Sequence, residues 1–154
     1  MKIVLNRCRG RFELSKAGLE RMIELKTKSA GYKNIYCYEF IFDENDGKTH
    51  VLISPFNISN VKELFLLTNE TFDNVTKLNY DDFKRLSSYL MKSDIRNYRY
   101  DKDLITVVEE LGALASTDLS NLKVVEIPDS CWVLIDVYNG FEQLFYSKSK
   151  INRI

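Results

Sequence analysis

Histidine is almost missing from this chain: His50 is the one imidazole in 154 residues. General acid–base and nucleophilic catalysis most often needs a histidine, and a zinc site needs several ligands close together. No His-Glu-x-x-His pattern exists, and His50 reads as a surface or structural residue on the strand that follows Asp46-Gly47. Cysteine is just as sparse. Cys8, Cys37 and Cys131 are odd in number, far apart and never in a Cys-x-x-Cys pair, so they fit buried reduced thiols better than a disulfide framework or a zinc site. Neither Gly-x-x-x-x-Gly-Lys nor Gly-x-Gly-x-x-Gly occurs, and with them go the standard NTP and dinucleotide sites.

Long apolar runs are missing too. Stretches such as Leu64 to Leu67 fall far short of the ~20 residues that cross a bilayer. The opening Met1-Lys2-Ile3-Val4-Leu5-Asn6 lacks the features of a signal peptide, and a cytoplasmic location is expected. Charge of one sign is not in excess: Lys plus Arg is 22 and Asp plus Glu is 22. Attraction to nucleic acid would therefore need a local patch, and non-specific DNA binding is disfavoured. Asp43-Glu44-Asn45-Asp46-Gly47 imitates a calcium loop, but counted from Asp43 its glycine comes one place early and the closing glutamate is lacking. It reads as a solvated turn. No metal, cofactor or catalytic residue is assigned.

What the chain does contain is 45% hydrophobic and 29% charged residues, enough for one globular core, and a single domain over residues 1–154 is expected. Lys2 to Asn6 reads as a buried strand. Ser15 caps a helix over Lys16 to Lys28 that stops near Ala30-Gly31. Ile35 to Phe42 alternates, with Tyr36, Tyr38, Phe40 and Phe42 on one face, and turns at Asp46-Gly47 into Thr49 to Ile53. Val61 to Leu67 fits strand or short helix. Asn79 or Asp81 caps a helix expected to run to about Lys92. Asp101 or Asp103 caps the clearest amphipathic helix, with Leu104, Val107, Val108, Leu111 and Ala115 in one stripe. On that helix Glu109 and Glu110 point about 100° apart, as a solvated face does. Leu122 to Ile127 is a strand ended by Pro128, and Asn139-Gly140 joins Trp132 to Tyr138 with Phe141 to Tyr146 in a hairpin. The expected class is α+β, a mostly antiparallel sheet containing Lys2 to Asn6 and the C-terminal hairpin, packed against amphipathic helices.

Both ends of the chain carry motifs. Lys2-Ile3-Val4-Leu5-Asn6-Arg7-Cys8, then Gly10, Phe12, Leu14 and Ser15, open it. Asp101 to Leu104, Val107-Val108-Glu109-Glu110-Leu111-Gly112, Ala115-Ser116, Leu122-Lys123-Val124-Val125-Glu126-Ile127-Pro128-Asp129 and Tyr138-Asn139-Gly140-Phe141-Glu142 follow later. In order and spacing these blocks resemble a group of uncharacterised small phage and prophage proteins. The resemblance covers a little under half of the chain and implies a virus-derived accessory protein without known catalytic residues. The group usually has an aromatic residue in place of Arg9 and a glycine in place of Arg11. Gly31 to Arg96 has no such resemblance.

Arg7, Arg9 and Arg11 alternate, so on an extended backbone they share one side at about 7 Å spacing, which suits successive phosphates. Tyr36 and Tyr38 offer faces on which a base can stack. Together these residues point to a non-enzymatic phage protein that sequesters a small anionic host signal, a cyclic (di)nucleotide. Arg99 and Ser116 would supply further polar contacts. A homo-oligomer is expected, because interfaces between subunits enclose deep sites. Two alternatives stand beside it: direct binding and inhibition of a host defence enzyme or nuclease, and weak nucleotide hydrolysis.

Overall fold

The computed structural model describes residues 1–56, 64–86, 88–92 and 95–149. In chain order the elements are β1 (Lys2–Asn6), α1 (Lys16–Ala30), β2 (Asn34–Asp43), β3 (Lys48–Pro55), β4 (Leu64–Thr68), β5 (Thr76–Asn79), α2 (Tyr80–Arg85), β6 (Ser88–Lys92), α3 (Lys102–Leu111), β7 (Leu122–Glu126), β8 (Trp132–Tyr138) and β9 (Phe141–Ser147). The class is α+β with antiparallel sheets, as the sequence leads one to expect. The chain forms two compact units, Met1–Ile23 with Asp94–Ile154, and the intervening Glu24–Ser93. The motif blocks that resemble phage proteins all fall in the first unit. No described helix is long and apolar enough to cross a membrane.

In the first unit β1 pairs antiparallel with β7, from Lys2 opposite Glu126 to Asn6 opposite Leu122. Ile3, Val4 and Leu5 are all fully buried, so β1 is covered on both faces. Its Val4 N–H donates to Arg99 O at 2.9 Å. The α3 stripe of Leu104, Val107 and Val108 is buried, and α3 packs on β1 and β7. Each such side chain contributes about 1.5–3 kcal/mol by leaving water. Asp101 caps α3 by accepting from the N–H groups of Asp103 and Leu104 at 2.9 and 3.2 Å. Ser15 caps α1, its Oγ accepting from Gly18 N–H at 3.0 Å, and the helix ends at Gly31 with φ 73°. Glu109 and Glu110 lie exposed, paired with Lys2 and Arg21.

The hairpin of β8 and β9 forms through Asn139 (φ 48°) and Gly140 (φ 88°), the two positive values that a two-residue hairpin turn demands. One expectation changes. β1 and the hairpin lie in separate two-stranded sheets, and among the described residues β1 pairs with β7 alone. One long-range contact accounts for it: Asn6 N–H, which a neighbouring strand would take, donates instead to the Glu142 carboxylate at 2.8 Å. A side chain replaces the ladder at that place.

The second unit is a five-stranded antiparallel sheet in the order β5-β3-β2-β4-β6. Tyr38, Val51, Ile53 and Leu66 share one face and bury with Phe83 of α2, flanked by Tyr36, Leu64, Phe72, Leu78 and Leu86. Asn79 caps α2, accepting from Asp82 N–H at 2.7 Å. The helix expected to reach Lys92 stops at Arg85. Beyond it, β6 pairs with β4, Met91 opposite Phe65, burying Met91 completely while Leu90 stays exposed. The apolar ladder offered by β4 outweighs helical propensity, and Leu90 and Met91 part to opposite faces. The Val61 to Leu67 segment resolves to strand over Leu64–Thr68, and residues 61–63 lie outside the described set. Of the cysteines only Cys37 is buried; Cys8 and Cys131 are half-buried, contrary to expectation.

Candidate functional site

The arginine segment begins where β1 ends, and it does not stay extended. Cys8 to Gly10 bend, Gly10 N–H donates to Asn139 O at 2.9 Å, and Arg11 N–H donates to Leu119 O at 2.7 Å. Room decides the sequence here. A Cβ on Gly10 would collide with Leu119 O, and a Cβ on Gly140 would collide with the Gly10 backbone, so two glycines cross in contact. Buried Asn6 locks the crossing, its Nδ2 donating to Gly140 O at 2.9 Å and to Cys8 O at 3.2 Å while its Oδ1 accepts from Asn121 N–H at 2.8 Å.

This clamp lays the segment over the hairpin. Tyr138 and Phe141 stand directly opposite each other across the turn. The Arg9 guanidinium lies 5.4 Å from the Tyr138 ring centre and the Arg7 guanidinium 4.7 Å from that of Phe141. Arg7 Nη1 also donates to Glu142 O at 2.7 Å, which fixes its orientation. Arg11 is exposed on the same segment. Strand alternation puts Trp132, Leu134, Tyr138, Phe141 and Phe145 on one face of the hairpin. Three of them are largely open to solvent: Trp132 at 55%, Tyr138 at 67% and Phe145 at 47%.

Behind the clamp, Glu142 is 4% exposed and receives both Arg99 terminal nitrogens, at 3.1 and 2.9 Å, besides Asn6 N–H. Arg99 also lies 4.9 Å from the Phe12 ring centre. Its charge is therefore engaged inside the unit. Ser116 Oγ accepts from Leu122 N–H at 2.8 Å, a structural bond at the start of β7.

The two tyrosines belong to the other unit. Tyr38 is 4% exposed, in the core with Phe83, and Tyr36 packs edge-on against Phe72 while its hydroxyl accepts from Phe72 N–H at 3.0 Å. The fold thus brings Arg7 and Arg9 onto Phe141 and Tyr138, and not beside Tyr36 and Tyr38, whose rings were expected to stack a base. A signal for this existed: a two-residue Asn139-Gly140 turn forces Tyr138 opposite Phe141.

His50 is not alone either. The β2–β3 turn brings Asp43, Asp46 and His50 together, with one ligand-type atom from each within 4.8 Å of the others. Existing bonds already occupy them. His50 Nε2 meets Asp46 Oδ2 at 2.6 Å and Lys77 Nζ donates to Asp43 Oδ2 at 2.8 Å. The Lys48 N–H, and then His50, hold the Asp46 carboxyl below its ordinary pKa; Lys77 and then the Asn45 N–H do the same for Asp43. This is a satisfied ion-pair network.

Comparisons with protein-family models, with curated proteins and with solved structures return no match to this chain.

Proposed function

We propose that this chain is a non-enzymatic binding protein, and that the arginine-backed aromatic face of the β8–β9 hairpin docks onto an acidic surface of a partner protein. One observation carries the reading: Arg9 and Arg7 stand over the opposed rings of Tyr138 and Phe141, on the hairpin face that also carries exposed Trp132 and Phe145. Aromatic residues and arginine are what interface centres are enriched in, and an exposed apolar group of this kind marks a contact site more often than plain surface. The guanidiniums select an acidic partner. With the phage-like motifs of this same unit, the partner would be a host protein, such as a defence enzyme or nuclease that the chain inhibits.

The test is retention of a host protein by the immobilised chain and by its Trp132→Ala and Arg9→Glu variants, with sedimentation run in parallel. The proposal expects one acidic protein, held by the wild type and lost from both variants. Retention that ignores both substitutions overturns it, as does a concentration-dependent dimer that either substitution abolishes, since the face would then belong to a second copy.

A second reading keeps the small anionic ligand. In its favour, Arg7 and Arg9 each combine a cation with a ring, which is what a phosphate beside a base would meet. Calorimetry against cyclic mono- and dinucleotides, followed by recovery of the ligand from denatured complex, separates capture from hydrolysis. Heat that disappears in Arg9→Glu, with intact ligand recovered, favours this reading over the protein partner.

A further inference from the structure

The β8–β9 hairpin leaves one strand edge open. Among the described residues it is a two-stranded sheet of its own, in which β8 pairs with β9 alone. In a hairpin closed by a two-residue turn the flanking pair, here Tyr138 with Phe141, exchanges both backbone bonds, and every second pair does so thereafter. The N–H and C=O groups of Val133, Ile135 and Val137 on β8, and of Glu142, Leu144 and Tyr146 on β9, therefore point outward. The two edges differ. On β9, Glu142 O accepts from Arg7 Nη1 at 2.7 Å. On β8, no described residue offers a backbone bond to the three outward positions, and Val137 is 61% exposed.

An open row of N–H and C=O groups templates another strand, and proteins ordinarily blunt it with lysine, proline, a bulge or a very short strand. Other edges of this chain follow that rule: β5 is four residues long and carries Lys77, and β7 carries exposed Lys123. Strand β8 does not. It runs for seven residues, Trp-Val-Leu-Ile-Asp-Val-Tyr, without lysine, arginine, proline or glycine, and its register with β9 is unbroken by a bulge. A hairpin of two strands is at best marginally stable in water until further strands extend it. On the face away from the arginines, Val133, Ile135 and Val137 form an aliphatic row, and the one charge on that face of the hairpin, Glu142, is sealed by Arg99.

We propose that a second copy of this chain completes the hairpin, β8 pairing antiparallel with its own copy about a two-fold axis to give a four-stranded sheet. Charge selects this occupant. Centred on Ile135, the pairing sets Val133 opposite Val137 and places Asp136, the one charge on the strand, opposite Leu134 and not opposite itself. Apolar side chains then meet along the strand and no like charges oppose each other. The arginine-backed face would instead bring Arg7 and Arg9 against their own copies, so it stays outside this contact. Arg7 holds the β9 edge, and assembly closes at two. The edge stands or falls independently of the docking face.

The experiment is sedimentation velocity of the full chain over a range of concentrations, with hydrogen exchange at both ends of that range. The wild type is expected to pass from monomer to dimer as concentration rises, and the amides of Val133, Ile135 and Val137 should exchange more slowly in the dimer. Val137→Lys, at an exposed position, should remain a monomer where the wild type is a dimer. The exchange comparison needs no variant, so it decides the matter should Val137→Lys fail to fold. Arg9→Glu should dimerise as the wild type does. A wild type that stays monomeric overturns the edge and leaves the docking face untouched. Equally fatal are a dimer whose three β8 amides exchange as in the monomer, a dimer that folded Val137→Lys retains or Arg9→Glu abolishes, and assembly that grows past two.

Discussion

Glu142 in the first unit and Asp46 in the second each hold a basic partner, yet the two pairs sit in opposite surroundings. The Glu142 carboxylate is nearly sealed from water and satisfied by Arg99 and the Asn6 N–H. The Asp46 carboxylate lies at a turn in solvent, where its partner is the single histidine. A sealed pair must be complete, because water cannot replace a lost partner; an open pair is replaced by water at little cost. The first cluster therefore holds structure, joining β1, the Arg99 turn and the hairpin. The second pins the β2–β3 turn at the surface.

The largest effect should follow from splitting the sealed pair. Arg99→Met leaves the Glu142 carboxylate buried and uncompensated, and should cost about 3–5 kcal/mol in denaturant unfolding. Converting the pair jointly, Arg99→Met with Glu142→Leu, should restore part of that loss. A single Arg99→Met variant as stable as the wild type would remove the contrast between the two clusters.

Next comes the glycine crossing. Gly140→Ala must carry a side chain at φ 88° and push against the Gly10 backbone, so it should destabilise the hairpin by more than about 1 kcal/mol. It should also disturb the stacking of Arg9 on Tyr138, because Asn6 and Gly10 bind the turn. In the second unit the matching element is the cap of α2. Asn79→Ala should cost about 1 kcal/mol, read as a lowered unfolding midpoint, since Asp82 N–H loses its acceptor.

How far the sequence alone reaches differs between the units in the same way. Local rules were enough for β1, for the Asp101 and Ser15 caps and for the Asn139-Gly140 hairpin, since each depends on residues within a few positions. The Asp46-Gly47 turn between β2 and β3 was also legible. The helix running to Lys92 was misread because β6 exists only when β4, distant in sequence, offers Phe65 and Leu67 to pair with. The joint sheet of β1 and the hairpin was misread because Glu142 takes the Asn6 N–H, a contact across 136 positions. At the candidate site the residue types were right and their partners were not. Alternation of Arg7, Arg9 and Arg11 presumed a straight backbone, which the Gly10 crossing bends. The rings that receive two of them come from the far end of the chain. His50 was set aside as solitary because its neighbours Asp43 and Asp46 count as a solvated turn until the turn folds back on the strand.

The smallest effect is a pH dependence confined to the open cluster. A carboxyl whose pKa is lower folded than unfolded adds stability above its ordinary pKa and loses it as pH falls through the folded value. Asp43 and Asp46 are both held below the ordinary 3.8, chiefly by Lys77 and by the Lys48 N–H respectively, so the β2–β3 turn should be tight at neutral pH and loosen in acid. Lys77 works from the other side. Its pKa is raised above 10.5 by Asp43, so its contribution is complete below that pH and is lost as pH rises through the folded value. The amide protons of Asn45 and Lys48, which donate to Asp43 Oδ1 and Asp46 Oδ1 at 2.9 Å each, report on this directly. Their NMR shifts should move as pH falls below about 4, while the amide of Gly10, bonded to a carbonyl that does not titrate, should stay put. Equal movement of all three would mean that acid loosens the whole chain and not the open cluster, and the difference between sealed and open pairs would then not govern the response.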